Sequence, residues 1–331
     1  VRLAGLRIIQ AKNKVFITMH RTIKILVNWI VRRLLLSGVI FFLLISSCGG
    51  QTIPDFDAQN AFQHLEKQCE FGARVPGTAA HLKCRDYLVE TLRKYTPHVT
   101  LQPFKETIPT FDKPVTCYNI IANFHPNNSR RVILCAHWDT RPWADRDPDP
   151  ANHNKPVLGA NDGASGVAVL LEIARIISIV PPKYGVDIVL FDAEDFGTYG
   201  QNETWALGSK QFAKNVVKNY NPEFGILLDL IGDADQQLYI EQNSYRYARS
   251  IVDKVWNVAR RLNIPEFIPQ VKYEVYDDHL NLLEIGIPCI DIIDFDYEYW
   301  HTISDTPDKC SPKSLDNVGR VVRAILYENY D

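Results

Sequence analysis

The chain lacks several features that mark large classes of protein. Its seven cysteines form no C-x-x-C pair, which argues against a zinc ribbon or a thioredoxin-type site. The formal net charge is only −3, so there is no basic field to hold nucleic acid. No internal repeat is visible, and the apolar run over residues 34–45 is shorter than the ~20 residues needed to cross a bilayer. Methionine occurs once, at Met19. What remains is ordinary globular material, 46% hydrophobic and 23% charged, enough for one large α/β domain. Cys69 and Cys84 are candidates for a bridge in an exported protein, although spacing alone does not pair them.

The beginning of the chain reads as a targeting segment. Residues 1–18 are basic with no acidic residue, and Met19 is the expected start. From there Arg21, Lys24, Arg32 and Arg33 make a positive stretch, and Leu34 to Ile45 is the apolar core of a signal. Ser46-Ser47-Cys48-Gly49 then resembles a bacterial lipobox, in which the cysteine is lipidated. The expected organisation is a signal and lipoprotein segment over 1–48, a tether over 49–56 and a catalytic domain over 57–331. A cleaved signal without lipid, or an uncleaved anchor, is the plainer alternative. Each exports the catalytic body; the lipoprotein reading makes it periplasmic, with a lipid on Cys48 as its only attachment to the membrane.

Apolar periodicity predicts helices over Ala58–Phe71, His81–Tyr95, Gly163–Ile179, Leu207–Lys218, Tyr245–Leu262, His279–Ile285 and Ser314–Tyr327. Strands are expected over Val99–Thr107, Pro114–Phe124, Arg131–Ala136, Val186–Phe191, Phe224–Ile231, Val271–Val275 and Ile287–Ile293. This alternation predicts a single α/β domain with a central mixed, mostly parallel sheet covered by helices on both faces. A polar loop over Thr140–Pro156 is too long for a simple connector. In such sheets ligands gather at the carboxyl ends of strands, and the acidic motifs fall there.

Singly, each motif has a plain explanation. Asp162, in Gly159-Ala-Asn-Asp-Gly-Ala-Ser-Gly166, reads equally well as a helix N-cap. Glu194-Asp195 reads as a solvated loop, and His137 as a core histidine. Asp229 is harder to dismiss, because it interrupts Gly225-Ile-Leu-Leu-Asp-Leu-Ile231, and a carboxylate buried there needs a partner or a cation. His137 and Asp139 share one strand face by their spacing. Asp277-Asp278-His279 and Trp300-His301-Thr302 also flank apolar runs. Together with Asp162 these make six clusters of carboxylates and histidines, five of them at strand ends, with almost no basic residue beside them. Mixed histidine and carboxylate ligands suit zinc with an open position, and an uncoordinated carboxylate next to a ligand suits general acid–base work.

In this order the motifs resemble the zinc aminopeptidase superfamily, and within it the glutaminyl cyclases (glutaminyl-peptide cyclotransferases) in their bacterial, animal-like form. The likeness runs from about residue 57 to the end. Leu227-Leu-Asp-Leu-Ile-Gly232 and the additional acid Asp277 point to cyclases rather than peptidases. The resemblance implies one zinc held by Asp162, Asp195 and His301, with Glu194 as general base and acid. It also implies a proton relay through Asp229 and Asp277, with Trp300 and, more loosely, Trp205 lining the substrate pocket. Asp195 stands where animal cyclases carry a glutamate, which shortens its reach. His137 matches a position near the second metal of the two-zinc peptidases and stays outside the expected metal set. The implied activity is an acyltransfer that converts the N-terminal glutamine of peptides or proteins to pyroglutamate with release of ammonia. A zinc aminopeptidase using the same residues is the alternative, and a non-catalytic binding module is a more distant one.

Overall fold

The computed structural model describes residues 16, 19–33, 52–107, 113–217 and 220–328. The apolar run over 34–45 and Cys48 lie outside the described residues. Residues 19–33 form helix α1, with side chains such as Ile25 and Trp29 exposed. Among the described residues no helix is long and apolar enough to cross a membrane. Residues 53–331 make a compact unit of their own.

That unit is built on six strands: β1 (Val99–Glu106), β2 (Val115–Phe124), β3 (Arg131–His137), β4 (Gly185–Phe191), β5 (Phe224–Asp229) and β8 (Cys289–Ile293). Their order across the sheet is β1-β2-β4-β3-β5-β8. β1 and β2 pair antiparallel, as do β2 and β4, whereas the β4-β3-β5-β8 block is parallel. The fold is therefore the expected mixed α/β sheet. Each residue of β4 is buried, as a strand covered on both faces requires. Alternation along β3 sends Val132, Leu134 and Ala136 into one core, and Ile133 and Cys135 into another. The first core is covered by α2 (Ala58–Glu70), α4 (Ala164–Ile179), α7 (Arg249–Arg261) and α9 (Pro312–Tyr327). The second lies under α5 (Leu207–Asn215) and α8 (Asp278–Glu284).

Helix α4 is the central strut, buried along nearly its whole length. It approaches the sheet so closely that a Cβ on Gly166 would lie 2.2 Å from the Leu228 carbonyl oxygen, so no larger residue fits there. This contact sets the height of the glycine turn that carries Asp162. Helix α3 (Ala79–Arg93) completes the first layer, capped by Thr78.

The remaining elements differ from expectation in instructive ways. The helix expected over Tyr245–Leu262 is two helices, α6 (Gln242–Tyr247) and α7, broken at Ala248 with φ −134° and ψ 36°. Glu241 caps the first, accepting from the backbone N–H groups of Asn243 and Ser244, and this starts the helix earlier than periodicity indicates. The strand expected over Val271–Val275 lies instead at β7 (Phe267–Val271), paired in parallel with β6 (Leu238–Ile240). The helix expected over Leu207–Lys218 ends at Asn215. Cys69 and Cys84 do not pair, and the six described cysteines are all free and buried. Burial pushes the Cys84 thiol up to about 12, so it behaves as a small core side chain.

Candidate metal and acid–base site

The parallel block brings four strand ends to one edge of the sheet. His137 is the last residue of β3, Asp229 the last of β5, and Glu194-Asp195 follow β4 by three residues. Asp162 arrives on the turn before α4, and His301 on the turn after β8. All eight residues expected at the site line one cavity of about 190 Å³: Asp162, Asp195, His301, Glu194, Asp229, Asp277, Trp205 and Trp300. Asp278 and His279, the rest of the Asp277-Asp278-His279 motif, are buried and do not line it, with His279 Nε2 3.3 Å from Glu241.

Asp162, Asp195 and His301 form a group whose ligand atoms all lie within 4.8 Å of one another. His301 Nε2 is 3.1 Å from Asp195 Oδ1 and 3.6 Å from Asp162 Oδ2. Asp162 Oδ2 and Asp195 Oδ2 are buried without a hydrogen-bond partner, an expensive condition that a cation in the group relieves. The donor set, two carboxylates and an imidazole facing a cavity, fits zinc with a position left open. A second group shares Asp162. His137 Nε2 is 3.1 Å from Asp162 Oδ1 and 3.2 Å from Asp229 Oδ1.

Each of these side chains is held from behind. Asp305 accepts from the Asn161 and Asp162 backbone N–H groups at 2.8 and 3.1 Å and receives the Tyr297 hydroxyl at 2.8 Å, which freezes the glycine turn. Arg74 is fully buried and donates to the carbonyls of Trp138, Leu158 and Gly159, tying the same turn to β3. Asp139 accepts from the backbone N–H groups of Glu194 and Asp195 at 3.1 and 3.2 Å. It thus supports the loop after β4 rather than facing the cavity.

The expectation that almost no basic residue stands beside the acids is corrected by Arg141. Its buried guanidinium lies 3.3 Å from Asp195 Oδ1, pairs with Asp145 and stacks near the Trp205 ring at 4.9 Å. The arginine comes from the Thr140–Pro156 loop, and only its position four residues before Asp145 hinted at the pairing. That loop also wraps His301: Arg146 N donates to the His301 carbonyl, and Asp147 accepts from the Ile303 N–H. Tyr199, which lines the cavity with its hydroxyl 2.7 Å from His301 Nδ1, carries no sequence signal.

Burial is the first cause of the shifted acids. It raises Glu194 well above the usual carboxylate range, with the charge of Asp277 adding to the rise. Asp229 is likewise pushed up to about 7 by burial, against the hydrogen bond from His137. Asp162 moves the other way: burial opposes its charge, but the contacts to His137 and His301 outweigh it. Acids separated in this manner divide into ligands and proton carriers. Of the aromatics, Trp300 stacks on His301 with ring centroids 3.9 Å apart, and Trp205 lies parallel to the same imidazole at 6.1 Å. Trp138 is a core residue instead, fully buried against His81.

Comparison with known proteins agrees with the fold. The Tannerella forsythia glutaminyl cyclase structure is 43% identical, covering 83% of this chain and 100% of that one at a TM-score of 0.80. A Bacteroides thetaiotaomicron glutaminyl cyclase bound to N-acetylhistamine is 39% identical over 84% of this chain and 100% of that one, at a TM-score of 0.81. A Zn-dependent exopeptidase from Parabacteroides distasonis matches at 41% identity, with coverage of 84% and 100% and a TM-score of 0.81. The model of peptidase family M28 matches residues 119–326, the span that carries every one of the site's acids and histidines. The chain belongs to peptidase family M28.

Proposed function

We infer that the chain is a zinc-dependent glutaminyl-peptide cyclotransferase, converting the N-terminal glutamine of peptides or proteins to pyroglutamate with release of ammonia. The observation that carries this reading is the convergence of the eight residues on one cavity, in a chain 39–43% identical to two glutaminyl cyclases. One zinc per chain, held by Asp162, Asp195 and His301, supplies Lewis acidity toward the side-chain amide carbonyl.

The protein's own residues do the rest. Trp300, Trp205 and Tyr199 wall a slot that holds the glutamine side chain away from bulk water. Glu194 takes a proton from the α-amino nitrogen, which then bonds to the side-chain amide carbon. As the bond from that carbon to the amide nitrogen breaks, Glu194 returns the proton to the departing nitrogen, which leaves as ammonia. No water is consumed, and the proton count balances. Asp277 and Asp229 hold the shuttled proton in a buried acidic chain. Because nucleophile and electrophile belong to one residue, orientation supplies much of the acceleration.

A zinc aminopeptidase is the second reading. It is favoured by the His137, Asp162 and Asp229 group, which offers donors for a second metal. A Gln-initiated dipeptide separates the two. Ammonia release at constant peptide length, with one zinc per chain, is the expected result. Liberation of free amino acid by a protein holding two zinc ions would overturn the cyclase.

Residue types in the N-terminal segment support a further proposal, that the protein is exported to the periplasm and anchored by a lipid on Cys48. Expressed in a bacterium with labelled palmitate, the chain is expected to take up label and fractionate with membranes, and Cys48→Ala to lose both. Label retained by that variant would sink the anchor.

A further inference from the structure

Tyr199 stands in the segment between Glu194-Asp195 and Trp205, and its phenol reaches across to His301. The hydroxyl is 2.7 Å from His301 Nδ1, and Arg146 Nε donates to the same oxygen at 3.2 Å. Arg146 also donates its backbone N–H to the His301 carbonyl at 3.1 Å, so one residue anchors both the histidine and its clamp. On the far side of the ring, His301 Nε2 faces Asp195 and Asp162.

The tautomer follows from this arrangement. For Nε2 to present a lone pair between two carboxylates, the ring proton must sit on Nδ1, and a neighbouring acceptor has to hold it there. A phenol oxygen has two lone pairs, and the Nδ1–H of His301 and the Nε–H of Arg146 fill both. The competing acceptor, Asp145 Oδ1, is farther from Nδ1 at 3.7 Å and is already engaged by Arg141 Nε at 2.8 Å. His301 is therefore backed by a neutral hydroxyl rather than a carboxylate.

The same ring belongs to the slot. It meets Trp300 edge-on at 6.2 Å and leans on Trp205 at 5.6 Å, while Tyr199 remains 43% exposed at the mouth. We propose that Tyr199 is a positioning residue that fixes the metal-facing tautomer of His301 with its hydroxyl and shapes the substrate slot with its ring. This deepens the reading of the site given above and rests on His301 being a metal ligand.

Zinc transfer from the loaded enzyme to a chromogenic chelator tests the hydroxyl, and steady-state kinetics on a Gln-initiated dipeptide test the ring. In Tyr199→Phe the ring stays, so zinc release is expected to quicken by about 10- to 100-fold, in line with losses at metal-backing residues, while KM hardly moves. In Tyr199→Ala zinc release should quicken as much and KM should rise as well. Zinc held by Tyr199→Phe at the wild-type rate would overturn the tautomer role, and an unchanged KM in Tyr199→Ala would overturn the slot role. Should Tyr199→Phe fail to fold, Arg146→Leu, which removes the second donor to the hydroxyl, is expected to speed zinc release, and no change there would also overturn the proposal. Wild-type enzyme that releases no ammonia sinks the cyclase reading while leaving the zinc-transfer result intact, so the two failures are distinguishable.

Discussion

Ala193, Ala206, Leu230 and His301 all have backbone φ between 49° and 57°, in the left-handed region that side chains disfavour. Each costs on the order of 1–3 kcal/mol and persists only where the surroundings over-determine it. Ala193 shows how. Its N–H is held by Asp192 Oδ1 at 2.9 Å, and Asp192 is itself fixed by His81 at 2.9 Å and by the Tyr118 N–H. The turn swings Glu194 toward the cavity while Asp139 grips the next two backbone N–H groups. The backbone therefore does not depend on the Glu194 carboxylate, and Glu194→Gln isolates its chemistry. Zinc content is expected to stay at the wild-type level, with ammonia release falling by about 10²- to 10⁴-fold, the usual worth of a general base. Turnover that survives the substitution would remove Glu194 from the proton-transfer role.

The elements read best from sequence were those buried on both faces. β3, β4 and α4 announce themselves because their burial leaves long apolar runs, whose only internal charges are Asp187 in β4 and Glu172 and Arg175 in α4, and Asp229 was conspicuous because it breaks such a run. Peripheral elements were harder. β6 has three residues, too few for a period, and α6 is set by the Glu241 cap rather than by an apolar stripe. The acids that line the cavity were legible because carboxylate chemistry leaves few other uses for them in apolar surroundings. Their supports were not. Tyr199 meets His301 across 102 residues of chain, and Arg141 reaches Asp195 across 54. Both come from loops, where residue type carries no periodic signal, and a contact of that kind exists only once the sheet has closed.

For the molecule as a whole, the cavity concentrates negative charge that folding must bury. Glu194, Asp195, Asp229 and Asp277 are all raised, chiefly by burial, and His137 is also raised, because the nearby carboxylates of Asp139, Asp162 and Asp229 outweigh burial. The sign is the same for both kinds of group. A carboxyl raised in the folded state binds protons that the unfolded chain has released, and so does a raised histidine, so stability falls as pH climbs through the raised values. Zinc, if held by Asp162, Asp195 and His301 as proposed, would replace those protons as the counter-charge. Chelated protein is therefore expected to unfold at a lower temperature at pH 8 than at pH 6, and zinc-loaded protein to show a flatter dependence. At zinc near 100 times its dissociation constant, the gain is about 2.7 kcal/mol. That gain corresponds to an unfolding midpoint higher by on the order of 5 °C for a unit of this size. Thermal melts of chelated and reloaded protein at the two pH values measure both effects. Coincident midpoints for the two forms would mean that the buried acids are neutralised without the metal.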